Sequence, residues 1–372
     1  MKKRHLILVA LIASLCLVGC EDEEEEVATQ QLVTSEPSIQ VINDTPAISI
    51  ESAEPVDDGS HEGMYRSELT NEWIPEELKD QRPIAAMVDN EKTALPHYGV
   101  SNADVVYEMT NSLANDGITR FMVLVKDYES IPQLGSIRST RPTNLVIAPE
   151  WNAIVCHDGG PFYIDDYIAK PFVDNFSGTF SRVDNGKSRE FTEYICTGDM
   201  EKNFSNSNVS KTYNEYYSGE HFKFVGSDSE INDLSSAPGV QDCTKVELPF
   251  KHNSSKLDYD EATKRYMYSE YGQKHTDPGN NDEQLGFTNV LIQNCRYVKF
   301  DDNGYMMFHA IDFNRDGWYI TQGKAIHVTW SKEDEITPTR YFDDNDEEIV
   351  LNTGKTYIAL VPDDKWSGLV VE

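Results

Sequence analysis

The residues Leu17-Val18-Gly19-Cys20 constrain this chain more than any other feature, because they close an apolar run that is neither a core element nor a membrane span. Lys2, Lys3 and Arg4 precede 13 mostly apolar residues, Leu6 to Val18, and small Gly19 stands before the cysteine. This is the layout of a secretory signal. A helix needs about 20 apolar residues to cross the hydrocarbon core, so 13 are too few to hold the chain across a bilayer. The expected outcome is removal of residues 1–19 and acylation of Cys20 on its thiol and new amino group, which would attach the protein to a membrane through lipid. Cys16 lies inside the apolar run and is lost with it.

The stretch after Cys20 cannot build a core. Residues 21 to about 70 begin Glu-Asp-Glu-Glu-Glu-Glu and continue in Thr, Ser, Gln, Pro and acids, so a disordered acidic linker is expected over 20–71. About 50 flexible residues span on the order of 40 Å end to end, and like charges extend them further. Loss of Lys2, Lys3 and Arg4 moves the net charge from -32 to -35. Both the linker and the remainder are acidic, which argues against nucleic acid and other polyanions as partners.

From residue 72 aromatics become frequent, and some 300 residues are enough for two domains with cores. An N-terminal mixed α/β domain is expected over 72–232 and a β-rich C-terminal domain over 240–372, an α+β arrangement overall. Arg82–Asn90, Ala103–Met109, Ile118–Lys126 and Ala153–Cys156 read as buried strands, and Pro142–Glu150 as a helix capped by Ser139 or Thr140. A second, short helix is expected near Ser210–Tyr217. The boundary falls in 225–240, rich in Gly, Ser and Pro. Beyond Lys245 strands are expected at 265–271, 286–293, 297–300, 305–313, 318–321, 325–330, 348–351 and 356–361. Asp302-Asn-Gly304 and Arg315-Asp-Gly317 read as hairpin turns. Cys156, Cys196, Cys243 and Cys295 could form two disulfides or remain buried thiols.

The densest chemical signal is Gly135-Ser136-Ile-Arg138-Ser139-Thr-Arg141-Pro142, directly before the expected helix. Two arginines, hydroxyls and free N–H groups suit a carboxylate or phosphate. The same arginines could instead pair with acids such as Asp89 or Asp104 and fix the loop. His157-Asp158-Gly159-Gly160 comes directly after a strand, so His157 and Asp158 should sit on a strand-end loop whose glycines permit close approach. Cys156, at the end of Ala-Ile-Val, reads as core, and Cys, His and Asp adjacent in sequence do not make a triad, since neighbours on a strand point to opposite faces. Asp343–Glu347 has calcium-loop composition, but Glu348 and Thr353 stand where an EF-hand needs Gly and Glu, so a hairpin tip is the better reading. GxSxG, P-loop, HExxH and dinucleotide fingerprints do not occur, and no zinc-spaced Cys/His set is present, so no metal or cofactor is expected.

Arg82-Pro-Ile-Ala-Ala-Met-Val-Asp-Asn90, Ser101–Glu108, Gly117-Ile-Thr-Arg120-Phe121, Gly135–Pro142 and His157–Gly160 resemble, in order and spacing, the successive motifs of the YerB-like family of predicted lipoproteins from Gram-positive bacteria. Asn289–Ile292, Val328–Ser331 and Gly354–Tyr357 are similar to that family's second domain. The resemblance implies a lipid-anchored protein on the outer face of the cytoplasmic membrane, with two domains of unknown function. It departs at Glu190-Phe-Thr-Glu193, where the family tends to show Pro-His-Asn-Leu.

Two functional readings are open. The first is a non-enzymatic surface module that binds a peptidoglycan fragment or an envelope protein through loops bearing Asp89, Arg120, Ser136, Arg138, Ser139, Arg141, His157, Asp158, Gly159 and Gly160. The second is an envelope hydrolase or transferase on an anionic wall-derived substrate, with Arg138 and Arg141 holding the anion and His157 or Asp89 moving a proton.

Overall fold

Uninterrupted apolar runs such as Ile84–Asp89 require cover on both faces of a sheet, and the structure supplies it. The computed structural model describes residues 60–113, 116–300, 302 and 305–372. Cys16, Cys20, the acidic stretch as far as residue 59, and Asn303 and Gly304 of the expected turn lie outside them. The protein is mostly β, with few and short helices. Among the described residues the longest α-helix is Asp199–Ser205, with 7 residues.

An 11-stranded sheet organises the molecule. Its centre runs Asn289–Cys295, Thr356–Pro362, Val105–Ser112, Ile118–Val125, Ile84–Asp89, Ile154–His157. Thr356–Pro362 lies parallel to both Asn289–Cys295 and Val105–Ser112, so segments on either side of residues 225–240 share one sheet. Alternation along a strand distributes side chains to two cores. Ile84, Ala86 and Val88 join one, together with Leu257, Tyr266 and Tyr268 of a six-stranded second sheet. Ala85 and Met87 join the other, with Leu145, Val146 and Ile147 of the helix Pro142–Ile147.

Several expectations need correction. Pro142 does start a helix, but its cap is Arg141 and not Ser139 or Thr140, and the Arg141 N–H donates to Asn144 Oδ1 at 3.0 Å. Residues 210–217 form no helix. Lys211 O accepts from Arg82 N at 2.8 Å and Thr212 bridges Gln81, so an extended partner has claimed that backbone. Arg315-Asp-Gly317 is no turn but lies within the strand Asp312–Thr321. A Cβ on Gly317 would meet Ile292 O at 2.7 Å, so this glycine serves strand–strand approach. The turn itself is Gln322-Gly323, with φ 50° and 74°. Glu348 and Leu351 make isolated bridges in place of a strand. Ordered pairing also begins before residue 72, since Met64–Arg66 pairs with Trp73–Pro75. Cys156, Cys196, Cys243 and Cys295 are free thiols. The Asp343 loop is a hairpin tip, with Asp343 Oδ1 accepting from the N–H groups of Asn345 (2.8 Å) and Glu347 (3.0 Å).

Candidate functional site

Asp89 ends the central strand Ile84–Asp89 and is 2 % exposed. Its Oδ2 accepts from Arg138 Nε at 2.8 Å and lies 3.5 Å from Arg120 Nη2, while Oδ1 accepts from the Glu91 N–H at 3.0 Å. Burial alone would raise its pKa, but Arg120, the Glu91 amide and Arg138 outweigh that and hold the carboxyl below its ordinary value. Arg138 reaches on to Glu190 Oε2 at 3.0 Å. Arg120 Nη1 donates to Ser139 O at 2.7 Å and Asn111 Oδ1 at 3.1 Å, which ties the Ser139 loop to the ends of the central strands. Asp104, the other acid considered, instead accepts from the Lys126 N–H at 2.6 Å.

Arg141 is different. It is half-buried, makes no ion pair with a carboxylate among the described residues, and donates from Nη1 to Thr140 O at 2.8 Å. Its guanidinium stands 6.0 Å from the Tyr305 ring centroid. Tyr163 packs against Tyr305 (5.4 Å) and Phe300 (4.4 Å), and Phe162, 78 % exposed, packs against Tyr163 (5.4 Å). A cation beside flat rings results.

Ser136 is buried, with no partner for its hydroxyl among the described residues, and Ser139 Oγ donates to Asp158 O at 2.9 Å. His157 uses both ring nitrogens, Nδ1 with Gly159 O (2.7 Å) and Nε2 with Asn175 Oδ1 (3.2 Å), and burial lowers its pKa. Asp158 pairs with Arg182 at 2.8 Å, and Arg182 also pairs with Glu193. Gly159 takes φ 72°, and a Cβ on Gly160 would meet Ile164 Cδ1 at 2.3 Å, so this pair accommodates the protein's own backbone and core. The expected residues therefore form two neighbouring ion-pair groups, around Asp89 and around Arg182, with Arg141 standing apart from both.

A second polar group escaped sequence reasoning. Glu108, fully buried, accepts at Oε1 from Thr119 Oγ1 (2.8 Å), Asn253 Nδ2 (2.7 Å) and Ser255 Oγ (2.7 Å), and at Oε2 from Tyr268 (2.9 Å) and Tyr357 (2.5 Å). Glu270, 2 % exposed, meets His275 Nδ1 at 2.8 Å, and the His275 ring lies 4.9 Å from that of His97. Burial raises Glu108 against the pull of its donors and lifts Glu270 to about 7. Both histidines are lowered to about 4 by burial, His97 also by His275. Asn90 and Glu108 end two of the recognised motifs, but Asn253 and Tyr357 lie 145 and 249 positions from Glu108, beyond any local pattern.

Two family models match the chain in order. Residues 69–210 match the N-terminal domain, and 246–358 the C-terminal domain, of a protein of unknown function (DUF3048). Together they take in more than half of the chain, and the mostly β molecule with a sheet shared by both segments belongs to the DUF3048 family. A relative is the protein named "Putative lipoprotein YerB" of Bacillus subtilis (strain 168), 22% identical over 315 residues, which are 80% of this chain and 86% of the relative. The crystal structure of the YerB protein from Bacillus subtilis has the same fold, with a TM-score of 0.69 at 18% identity over 83% of this chain and 99% of that one.

Proposed function

We propose that the protein is a lipid-anchored binding module of the cell envelope, held at the outer face of the cytoplasmic membrane by Cys20 and its acidic linker, and that it takes a carboxylate-bearing peptidoglycan fragment at Arg141. The position of Cys20 behind its apolar run and the lipoprotein name carried by the relative support the address. Among the described residues no helix is long and apolar enough to cross a membrane.

Arg141 carries the binding reading. In a chain with 64 acids against 32 bases, a half-buried guanidinium that meets no carboxylate among the described residues offers a place for an outside anion. The Tyr305 ring beside it, with Tyr163 packed on Tyr305 and Phe162 on Tyr163, suits the flat face of a sugar. A single carboxylate on a peptidoglycan unit, free or within the wall, can meet that cation locally, where a densely charged polyanion such as nucleic acid would meet the protein's overall negative field. Chemistry at these loops has less support, because Asp89 is engaged by two arginines and both His157 nitrogens are occupied.

The test is a calorimetric titration of the purified protein with a soluble disaccharide-peptide whose peptide ends in a free carboxylate. Binding should weaken roughly tenfold or more in Arg141→Ala, the scale of a charge-assisted hydrogen-bonded pair. Equal affinity in wild type and variant, or no binding by wild type, would reject the reading.

A further inference from the structure

Glu270 forms a wall common to two cavities. One, of about 270 Å³, is bounded also by Lys92, Leu95, Tyr271, Lys274 and His275. The other, of about 410 Å³, is bounded also by Leu248, Phe250 and Ser255. Behind this wall lies the network around Glu108, and its hydrogen-bond inventory does not balance. Asn90 and Asn253 turn their Nδ2 donors toward Glu108 and Thr119, which leaves Oδ1 of each buried with no donor to it among the described residues. His97 Nε2 lies 2.5 Å from Asp89 O, a pure acceptor, so the proton is on Nε2 and the buried Nδ1 is a bare lone pair. His275 Nε2, in a ring whose other nitrogen faces Glu270, is buried and has no partner among the described residues either.

Charge is unbalanced in the same direction. Asp89, Glu150 and Glu193 are buried acids that each meet an arginine or lysine. Glu108 and Glu270 meet none among the described residues, and the one imidazole on Glu270 is 4 % exposed and disfavoured as a cation. Glu108 is already met by donors from Thr119, Asn253, Ser255, Tyr268 and Tyr357, but Glu270 and the bare acceptors have room for N–H donors, and neither carboxyl has a lysine or arginine among the described residues. An ammonium group supplies both donors and positive charge.

The rim of the smaller cavity has the opposite character. Lys92 and Lys274 are exposed, and neither makes an ion pair with a carboxylate among the described residues, although acids outnumber bases twofold. An acidic floor under a basic rim fits a molecule with an ammonium at one end and a carboxylate at the other. The volume lies just below the roughly 300–1,000 Å³ of pockets for drug-sized ligands, which suits something the size of one or two amino acids.

We infer that the cavity between Lys92, Tyr271 and Lys274 is a binding site for a free amino acid or the zwitterionic end of a very short peptide, its ammonium on Glu270 and His275 and its carboxylate toward the two lysines. This site is separate from Arg141 and does not depend on it.

The test titrates the purified full chain with alanine, alaninamide, N-acetylalanine and ammonium chloride. Alanine binds, and N-acetylalanine, which lacks the ammonium, binds at least roughly tenfold more weakly. The double variant Lys92→Ala/Lys274→Ala, changed only at exposed positions, weakens alanine by a similar factor and leaves alaninamide unaffected. Glu270→Gln weakens both. Arg141→Ala leaves all of these affinities unchanged, so failure here is distinguishable from failure of the wall-fragment reading. The inference is overturned if N-acetylalanine binds as well as alanine, if the lysine variant binds alanine normally, if ammonium chloride alone saturates the site and alanine adds nothing, or if alanine fails to bind at millimolar concentration.

Discussion

Tyr357 donates its hydroxyl to Glu108 Oε2 at 2.5 Å, from a strand parallel to that of Glu108 and 249 positions away in sequence. Both side chains are buried, so the bond is shielded from water and joins the family's two matched segments inside one sheet. Removing one partner of a buried hydrogen bond costs about 1–3 kcal/mol. Tyr357→Phe keeps the ring and removes only the donor, so urea unfolding should show a loss of that order. An unchanged midpoint would mean that the remaining donors to Glu108 compensate fully.

Glu150 and Lys332 provide a second link of this kind. Both are 1 % exposed and 2.8 Å apart, and Thr339 adds its N–H (3.0 Å) and hydroxyl (2.7 Å) to the same carboxylate oxygen. Lys332→Met leaves that carboxylate without its cation and should destabilise by about 3–5 kcal/mol, while Glu150→Gln/Lys332→Met together should lose less. Burial would raise the Glu150 pKa, but Lys332 and His221 hold it well below its ordinary value. A carboxyl lowered by folding contributes stability that is present above its unfolded pKa, near 4.5, and lost as pH falls toward the folded one. The urea midpoint of the wild type should therefore fall below pH 4.5, and fall less in Lys332→Met.

At Glu270 the sign is reversed. Burial lifts this carboxyl to about 7, so its contribution is fully present below the unfolded value near 4.5 and disappears as pH rises through 7. His97 and His275, lowered to about 4, work the other way, with stability present above 6.5 and lost as pH falls toward 4. The two effects oppose one another between pH 4.5 and 6.5. Glu270→Gln removes one of them, so its stability should rise more steeply with pH across that window than the wild type's. Parallel curves for the two proteins in urea unfolding at a series of pH values would contradict this.

Continuous apolar runs made the central strands legible, because Ile84–Asp89, Ile118–Val125 and Ile154–His157 are buried on both faces and owe little to their partners for their character. Where a glycine or an extended neighbour decided the outcome, local reading failed. Gly317 looks like a turn residue but makes room for Ile292 O, and residues 210–217 look helical but bond back to the 80–82 segment. Asp89 and Arg120 stand opposite one another on adjacent strands and Arg138 reaches them from the loop before Pro142, whereas Arg141, on the same motif as Arg138, joins neither ion-pair group. The Glu108 network was not legible, because each of its C-terminal partners arrives through the fold from more than a hundred residues away.

The address can be tested apart from the fold. Cys20→Ala removes the only thiol at the end of the apolar run that could carry the lipid. One chain gives marginal anchoring and two give stable anchoring, so the variant should leave the membrane fraction and lose incorporation of labelled fatty acid. A variant that stays in the membrane fraction would show that something other than acylation holds it there.

Binding to the cell wall through Arg141 is tested most directly by co-sedimentation of the purified protein with isolated peptidoglycan sacculi. Wild type should pellet with the sacculi and Arg141→Ala should stay in the supernatant, while Lys92→Ala/Lys274→Ala pellets like wild type. Wild type that remains in the supernatant, or an Arg141→Ala variant that pellets equally, would contradict it.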